Sequence, residues 1–284
     1  MNLQTKFLQH LQAITGDRNP YFTQLAYLAV RSYIIQTLSQ YGQVEIDEFS
    51  VKNQIHQNIV LSIPADQQKS NKSNKPTILI GAHYDSVPGS PGADDNATGV
   101  AVLLELAREF TEKPLGYPVK LIAFDLEEYG LLGSKHYAEK IFQSGEKLRL
   151  MLSLEMLGYR DKKPGSQKYP SPLLGKIYPK QADFIALIGN IPTLLDLWQI
   201  KGKIQKQNIG CEILPVWNKG ISIPDTRRSD HSPFWDLGYP AVMVTDTANM
   251  RNPHYHAETD TIDTLDLEFL QAVCQGLING LRLL

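Results

Sequence analysis

The chain has 284 residues, of which 42% are hydrophobic and 20% are charged, and its formal net charge is −2. This composition is ordinary for a folded protein and argues against an intrinsically disordered chain. The near-neutral charge also argues against a nucleic-acid or acidic-membrane partner. The length allows one large domain, and we expect a single catalytic domain over residues 1–284. The sequence does not indicate an oligomeric state.

The N-terminal stretch MNLQTKFLQHLQAITGDRNP predicts an amphipathic helix instead of a signal peptide, because polar residues interrupt its apolar positions. No run approaches the ~18 apolar residues of a membrane-spanning helix. Cys211 and Cys274 lie far apart and fit no C-x-x-C pattern. They are therefore expected to be free thiols in a reducing compartment, and we predict a cytoplasmic location.

Strands and helices alternate along the rest of the chain, and several strands are solid apolar runs typical of a buried parallel sheet. This order predicts an open α/β sheet covered by helices. A polar loop is predicted at 65–76. The strands are predicted at 43–51, 58–64, 77–83, 119–125, 149–156, 182–189 and 239–246, and the helices at 22–40, 97–110, 130–142 and within the last 20 residues.

Histidine or acidic residues follow four of these apolar runs. His83 and Asp85 follow the first, Glu127 and Glu128 lie just beyond the second, Glu155 ends the third, and NPHYHAETD follows the fourth. Ligands bind beyond the carboxyl ends of strands in open α/β sheets, so these side chains should converge. Taken singly, each is more often a structural or solvated residue. Taken together, they predict a site for zinc, cobalt or manganese.

The segment GADDNATG contains two adjacent carboxylates, Asp94 and Asp95, between glycines and directly before an apolar helix. Adjacent carboxylates repel each other unless a cation lies beside them. Two metals that share one bridging carboxylate would need roughly five protein ligands with open positions left for water. The segment therefore predicts a divalent metal site.

Five segments together resemble the M28 family of zinc peptidases, which includes bacterial aminopeptidases with two co-catalytic zinc ions. They are GAHYDSVPGSPGADDNATGVAVLLELAR, LIAFDLEEYGLLGSKHYA, SLEMLGY, SDHSPFWDLGYPAVM and NPHYHAETDTIDTLD. The resemblance spans roughly residues 77–266. It implies a three-layer α/β/α fold with a mixed, mostly parallel sheet, and hydrolysis of peptide substrates with two zinc ions per chain.

The resemblance implies a role for each motif residue. His83 would bind the first zinc, and Asp85 would orient the His83 ring by a hydrogen bond to its other nitrogen. Asp94 would bridge both zinc ions, with a cis peptide bond between Asp94 and Asp95. Asp95 would then support Asp94.

The resemblance also implies that Glu127 is the general base and Glu128 a ligand of the second zinc. Glu155 would bind the first zinc at a position where aspartate is commoner. Spacing alone leaves His254 and His256 open as the last ligand, because both face the same way in an extended stretch. The family pattern H-x-x-x-D-T favours His256, and His254 would then line the substrate pocket.

The segment SDHSPF allows two interpretations. It could start a helix, with Ser232 at the N-cap and Pro233 in the first turn. Alternatively, Asp230 and His231 could form part of the pocket wall and bind substrate. Arg227 and Arg228, just before it, are either surface residues or ligands of a substrate carboxylate.

On this reasoning we predict the activity of a metal-dependent aminopeptidase. A glutaminyl cyclase with one zinc ion, or a carboxypeptidase or dipeptidase of the same family, is the alternative. A non-enzymatic domain is disfavoured because no ligand position is lost. A serine hydrolase and a helix-borne zinc protease are disfavoured because G-x-S-x-G and H-E-x-x-H are absent.

Overall fold

An eight-stranded mixed sheet forms the centre of the protein in a computed structural model that describes residues 2–66 and 75–284. Residues 67–74 of the predicted polar loop lie outside the described residues. The strands are β1 Val44–Val51, β2 Gln54–Ile63, β3 Thr77–His83, β4 Val119–Phe124, β5 Leu148–Glu155, β6 Phe184–Asn190, β7 Gly210–Val216 and β8 Ala241–Thr245. The α-helices of the described ranges are α1 Leu3–Ile14, α2 Gln24–Leu38, α3 Gly99–Glu112, α4 Leu132–Gln143, α5 Leu174–Ile177, α6 Leu194–Gln205, α7 Ser232–Asp236 and α8 Leu267–Leu281.

The strand order is β1-β2-β4-β3-β5-β8-β6-β7. Four neighbouring strands in the middle, β4, β3, β5 and β8, run parallel to one another. β1, β2 and β6 pair antiparallel with β2, β4 and β8 respectively, and β7 is parallel to β6. This confirms the predicted mixed, mostly parallel α/β sheet.

Apolar cores fill both faces of this sheet. Helices α1, α2, α3, α6 and α8 pack on one face, and α4 and α7 pack on the other. Every residue of β3 is buried, which explains its unbroken apolar sequence TILIGAH. The helices on both faces leave the carboxyl edge of the central strands as the place where polar side chains can gather.

The parallel strands place the predicted site residues at one edge. β3 ends at His83 and β5 ends at Glu155, while Asp125 directly follows β4 and Asp246 directly follows β8. The strand ends thus meet as the sequence predicts, because parallel neighbours end on the same side of a sheet.

Two elements of the far edge were not expected from the sequence. Helix α6 and strand β7 lie after residue 190, in a stretch for which no helix or strand was predicted. β7 alternates buried and half-buried positions because it is an edge strand with one face on the core. Nowhere in residues 2–66 and 75–284 is there a helix with the length and apolar character needed to cross a bilayer.

Candidate active site

The turn Ala93–Thr98, at the start of α3, carries the two adjacent aspartates. Its backbone leaves helical geometry at Asp95 and Asn96, so Asp94 and Asp95 point in different directions. A cis peptide bond is present between Asp95 and Asn96. The expected position of this bond, between Asp94 and Asp95, is therefore wrong by one residue.

Asp95 lies between two groups of potential metal ligands. In group one, His83, Asp95 and Glu155, the ligand atoms all lie within 4.8 Å of one another. The same limit holds in group two, Asp95, Glu128 and His256. Oδ1 of Asp95 is 3.2 Å from Nε2 of His83, and Oδ2 is 3.1 Å from Nε2 of His256. One carboxylate thus faces both groups, one oxygen to each.

Asp94 does not take the bridging position expected from the family resemblance, and that expectation is corrected here. Its Oδ1 accepts the backbone N–H of Gly158 at 2.8 Å, and its Oδ2 accepts a hydrogen bond from Nδ2 of Asn252 at 2.8 Å. Both oxygens are therefore occupied by hydrogen bonds, and Asp94 belongs to neither group. Asp94 supports the turn, and Asp95 takes the shared position.

The remaining residues expected as ligands are brought together. Nε2 of His83 is 3.7 Å from Oε2 of Glu155, and Nε2 of His256 is 3.3 Å from Oε2 of Glu128. Glu155 also accepts a hydrogen bond from the Ser229 hydroxyl at 2.7 Å, which fixes its longer side chain.

Asp85 lies behind His83, with Oδ1 3.4 Å from Nδ1 of the ring. The same carboxylate accepts the backbone N–H groups of Glu127 at 3.1 Å and Glu128 at 3.2 Å. Asp85 therefore links the end of β3 to the segment after β4. Its position fits the predicted role of orienting His83 and adds a second role, that of holding the Glu127–Glu128 segment.

The charges of this region shift several pKa values. Burial raises the pKa of Glu127 well above its usual value, and the neighbouring carboxylates of Glu155 and Glu128 raise it further. Burial also raises the pKa of Glu128, to about 7. Burial alone would raise the pKa of Asp95, but the closely placed His256 and His83 rings hold it below its ordinary value. The site thus gathers more carboxylates than its two histidines can neutralise.

His256 and His254 have separate surroundings. Burial opposes protonation of His256, but hydrogen bonds with Asp95 and Glu128 outweigh it and raise its pKa to about 10. His254 instead has its Nδ1 2.9 Å from the Thr259 hydroxyl. His256 is thus the histidine near the carboxylates, as the family pattern predicts.

The three residues expected to bind substrate, Asp230, His231 and His254, lie outside the lining of the cleft described below. His231 is fully buried and donates from Nε2 to the Thr226 carbonyl at 2.8 Å, and burial lowers its pKa to about 3. Asp230 is also fully buried, and burial raises its pKa to about 7. Helix α7 begins just after this pair, and Asp230 is close enough to His83, Glu155 and Asp85 for their charges to act on its pKa. A substrate-binding role for Asp230, His231 and His254 stays a prediction.

The donor set fits divalent metals. Neither ring nitrogen of His83, nor Oε1 of Glu128, has a well-aligned hydrogen bond within the described ranges, although all three atoms are buried. A buried polar atom without a partner is costly, and a bound cation would remove that cost. Imidazole and carboxylate donors without cysteine suit zinc, cobalt or manganese.

An apolar cleft, partly open to solvent, adjoins group one. Glu155 and Tyr255 line its end near the two groups, and Glu212 lies on edge strand β7. Arg228 also lines it and donates hydrogen bonds to the Tyr255 hydroxyl at 2.9 Å and to Asn249 at 3.1 Å. Its apolar walls come from Leu174, Phe184, Ala186, Ile188, Leu214 and Met243.

Two further residues near the site were not identified from the sequence. Asp260 accepts the backbone N–H groups of both Asp94 and Asp95, at 2.9 and 3.1 Å. Arg18, near the N-terminus, donates to the Asp95 carbonyl at 3.3 Å. Such contacts join side chains to backbone across long sequence distances, so no local motif signals them, although Asp260 stands in the H-x-x-x-D-T pattern.

The family model for peptidase family M28 matches residues 58–186 and 215–280 of this chain. These ranges include every residue of group one and group two. The chain belongs to peptidase family M28. The matched ranges do not include the first 57 residues, α6 or most of β7.

Two curated relatives support this assignment. The chain is 38% identical to the Escherichia coli protein YfbL over 72% of its own length and 65% of that protein. It is 29% identical to aminopeptidase YwaD of Bacillus subtilis, over 83% of its own length and 46% of that protein. The chain thus spans about half to two thirds of the length of these relatives.

Solved M28 structures share the fold. The Legionella pneumophila LapA aminopeptidase superposes with a TM-score of 0.71 at 19% identity, covering 99% of this chain and 71% of LapA. BSAP, a zinc aminopeptidase from Bacillus subtilis, gives 0.58 at 26% identity over 81% of this chain and 50% of BSAP. Glutaminyl cyclase from Porphyromonas gingivalis gives 0.68 at 22% identity over 98% of this chain and 96% of the cyclase. At identities below 25%, such likeness shows the fold and does not distinguish peptidase from cyclase.

Proposed function

We propose that this M28 chain is a two-metal aminopeptidase that removes N-terminal residues from peptides. The observation that carries the proposal is the position of Asp95, whose two oxygens face separate ligand groups beside an apolar cleft. The aminopeptidase name of YwaD supports the activity, and the zinc aminopeptidase BSAP supports zinc as the metal. A cytoplasmic location and a single domain over residues 1–284 stay predictions.

Group one and group two would each hold one metal ion, with Asp95 shared. Such ions, when bound, supply an activated water and polarise the scissile carbonyl. Glu127 belongs to neither group, and it lies close enough for the charges of His83, Glu155 and Glu128 to act on it. We assign to it the transfer of a proton from the attacking water to the leaving amine.

One row of paired residues across four strands of the sheet lies at the floor of the cleft, where we place the N-terminal side chain of the substrate. Glu155, Thr245, Ala186 and Glu212 lie in one row across strands β5, β8, β6 and β7. Three strand spacings of about 4.8 Å separate the two glutamates by roughly 14 Å. Thr245 and Ala186, the two small residues between the glutamates, leave space above this part of the sheet, and the walls of the cleft are apolar. We therefore infer that the cleft takes a large apolar N-terminal side chain.

Tyr255 is positioned to contact the reacting carbonyl. Its ring stacks on that of His256 with centroids 3.8 Å apart, and its hydroxyl lines the cleft. Burial raises the pKa of Tyr255, so the phenol keeps its proton at neutral pH. It can then donate a hydrogen bond to an oxygen that gains negative charge.

The glutaminyl cyclase alternative requires one metal ion. The presence of two complete groups argues for two, since group one, with His83 and Glu155, offers three ligand atoms within 4.8 Å of one another in addition to group two. Metal content under saturating zinc separates the two functions, with two ions per chain expected for the peptidase.

Hydrolysis of amino-acid p-nitroanilides by the zinc- or cobalt-loaded protein tests the proposal. We expect release of nitroaniline from leucine p-nitroanilide, and none from its N-acetylated form, because an aminopeptidase needs a free amine. Dipeptides and C-terminally amidated dipeptides should be compared in the same assay, since Arg228 in the cleft could hold a free carboxylate. No hydrolysis of any of these by the loaded protein would refute the proposal.

A further inference from the structure

Arg18 lies in the short segment between α1 and α2, outside the ranges matched by the family model, and it is fully buried. Its backbone N–H donates to the Ser86 hydroxyl at 3.0 Å. The neighbouring Gly16 N–H donates to the Pro91 carbonyl at 2.8 Å. The segment is therefore held against the loop that leads from β3 to the Asp95 turn.

The guanidinium of Arg18 donates only to backbone carbonyls among the described residues. Nε donates to Tyr84 at 2.9 Å, and Nη2 donates to Gly92 at 2.9 Å and to Asp95 at 3.3 Å. Nη1 donates to Pro91 at 2.7 Å and to Gly16 at 3.3 Å. Tyr84 directly follows His83, so one rigid planar group joins the backbone next to His83 to the backbone of Asp95.

We propose that Arg18 is a positioning residue for the metal site, holding the shared carboxylate Asp95 at a fixed place relative to His83. This inference rests on the proposed metal site but not on any particular substrate. Arg18 leaves the oxygens of Asp95 free, because it binds the carbonyl of that residue instead of its carboxylate. The positive charge remains close to Asp95, Asp260, Asp85 and Glu128 and offsets part of their repulsion.

Gly92 gives independent support for this arrangement. Its φ is +61°, and a Cβ there would lie 2.7 Å from Nη1 of Arg18 and 2.4 Å from the Asp95 carbonyl oxygen. Only glycine, which has no Cβ, leaves room for the guanidinium beside this turn. Gly92, the first glycine of GADDNATG, thus makes room for the contact between this turn and the distant Arg18.

Lysine in place of Arg18 would keep the charge but lose the planar fork that reaches all of these carbonyls. The test compares the full-length wild type, Arg18→Lys and Arg251→Lys, each with zinc and with Co²⁺ alone. Arg251 is the matched control, since it is also buried and donates to the Phe184 carbonyl at 2.7 Å, and among the described residues none of its hydrogen bonds goes to the Asp95 turn. Metal dissociation constants, the visible Co²⁺ spectrum and the Tm of the metal-free protein are measured.

We expect Arg18→Lys to weaken metal binding about 10- to 100-fold, as loss of a residue that orients a ligand commonly does, and to change the Co²⁺ spectrum. Arg251→Lys should lower the Tm with metal affinity and spectrum unchanged. Wild-type affinity and spectrum in Arg18→Lys would overturn the inference, as would an equal loss of affinity in Arg251→Lys.

Crystal structures of the wild type with and without zinc provide a second test that needs no variant. We expect the Asp95 turn and Arg18 to superpose in both, because the turn is already held. A turn that rearranges on metal binding would overturn the inference. A wild type that binds two ions yet cleaves no peptide would refute the proposed function while these measurements still decide the role of Arg18.

Discussion

The carboxylate of Asp260 accepts a hydrogen bond from the backbone N–H of Asp95 at 3.1 Å. Asp260 follows His256 by four residues, so this bond joins the loop of one group-two residue to the turn of another. The other carboxylate oxygen of Asp260 accepts the backbone N–H of Asp94 at 2.9 Å. The shared carboxylate is thus held through its backbone, and its side-chain oxygens remain available.

Replacing Asp260 with asparagine should weaken both the fold and the metal site. One oxygen of the pair becomes an amide nitrogen, which cannot accept the N–H it faces, and a lost buried hydrogen bond of this kind costs about 1–3 kcal/mol. We expect a lower Tm and weaker zinc binding. Asp263→Asn is the control, since Asp263 is exposed on the same loop; equal effects of the two changes would contradict this role.

Metal binding should release protons at neutral pH. In the metal-free chain the pKa of His256 is raised to about 10, and nearby carboxylates raise that of His83 well above its usual value. Both rings therefore carry a proton at pH 7 that a metal must displace, and affinity should increase as the pH rises from 7 toward 10. Calorimetry in buffers of different ionisation enthalpy measures the release, with at least about two protons expected, because the Glu128 carboxyl, with a pKa of about 7, is also partly protonated at neutral pH. Binding without proton release would show that these histidines are not the ligands.

Glu127→Gln should abolish hydrolysis while leaving metal binding intact. Glutamine cannot move the proton, and loss of a general base costs about 10²- to 10⁴-fold in rate. Metal content measured on the same sample distinguishes a lost base from a lost ion. A variant that retains near wild-type kcat would remove Glu127 from the mechanism.

Ala186→Leu should change substrate preference. Ala186 lies in the floor of the cleft between Thr245 and Glu212, so a larger side chain would fill the space above the sheet. We expect kcat/KM for phenylalanine and leucine p-nitroanilides to fall about tenfold or more, since overpacking costs about 1–3 kcal/mol. Alanine p-nitroanilide is the internal control and should be affected less; a uniform loss across all three substrates would contradict the pocket assignment.

The central strands could be predicted closely because they are buried on both faces, as in TILIGAH, where the predicted and observed bounds are identical. Edge strand β7 and helix α6 could not, because half-exposed elements mix polar and apolar positions. The convergence of His83, Glu128, Glu155 and His256 could also be predicted, because their motifs follow the ends of strands and occur in the order typical of the family. The choice between Asp94 and Asp95 depended on the local path of the turn and on distant partners such as Asn252 and Gly158, which adjacent residues in a sequence do not reveal.

The central claim is that Asp95 is shared by two metal ions. Anomalous diffraction at the zinc edge on zinc-loaded crystals tests it most directly. We predict two zinc peaks, one bonded to Oδ1 of Asp95 with His83 and Glu155, and the other bonded to Oδ2 with Glu128 and His256. A single peak, or two peaks bridged by Asp94, would contradict this account.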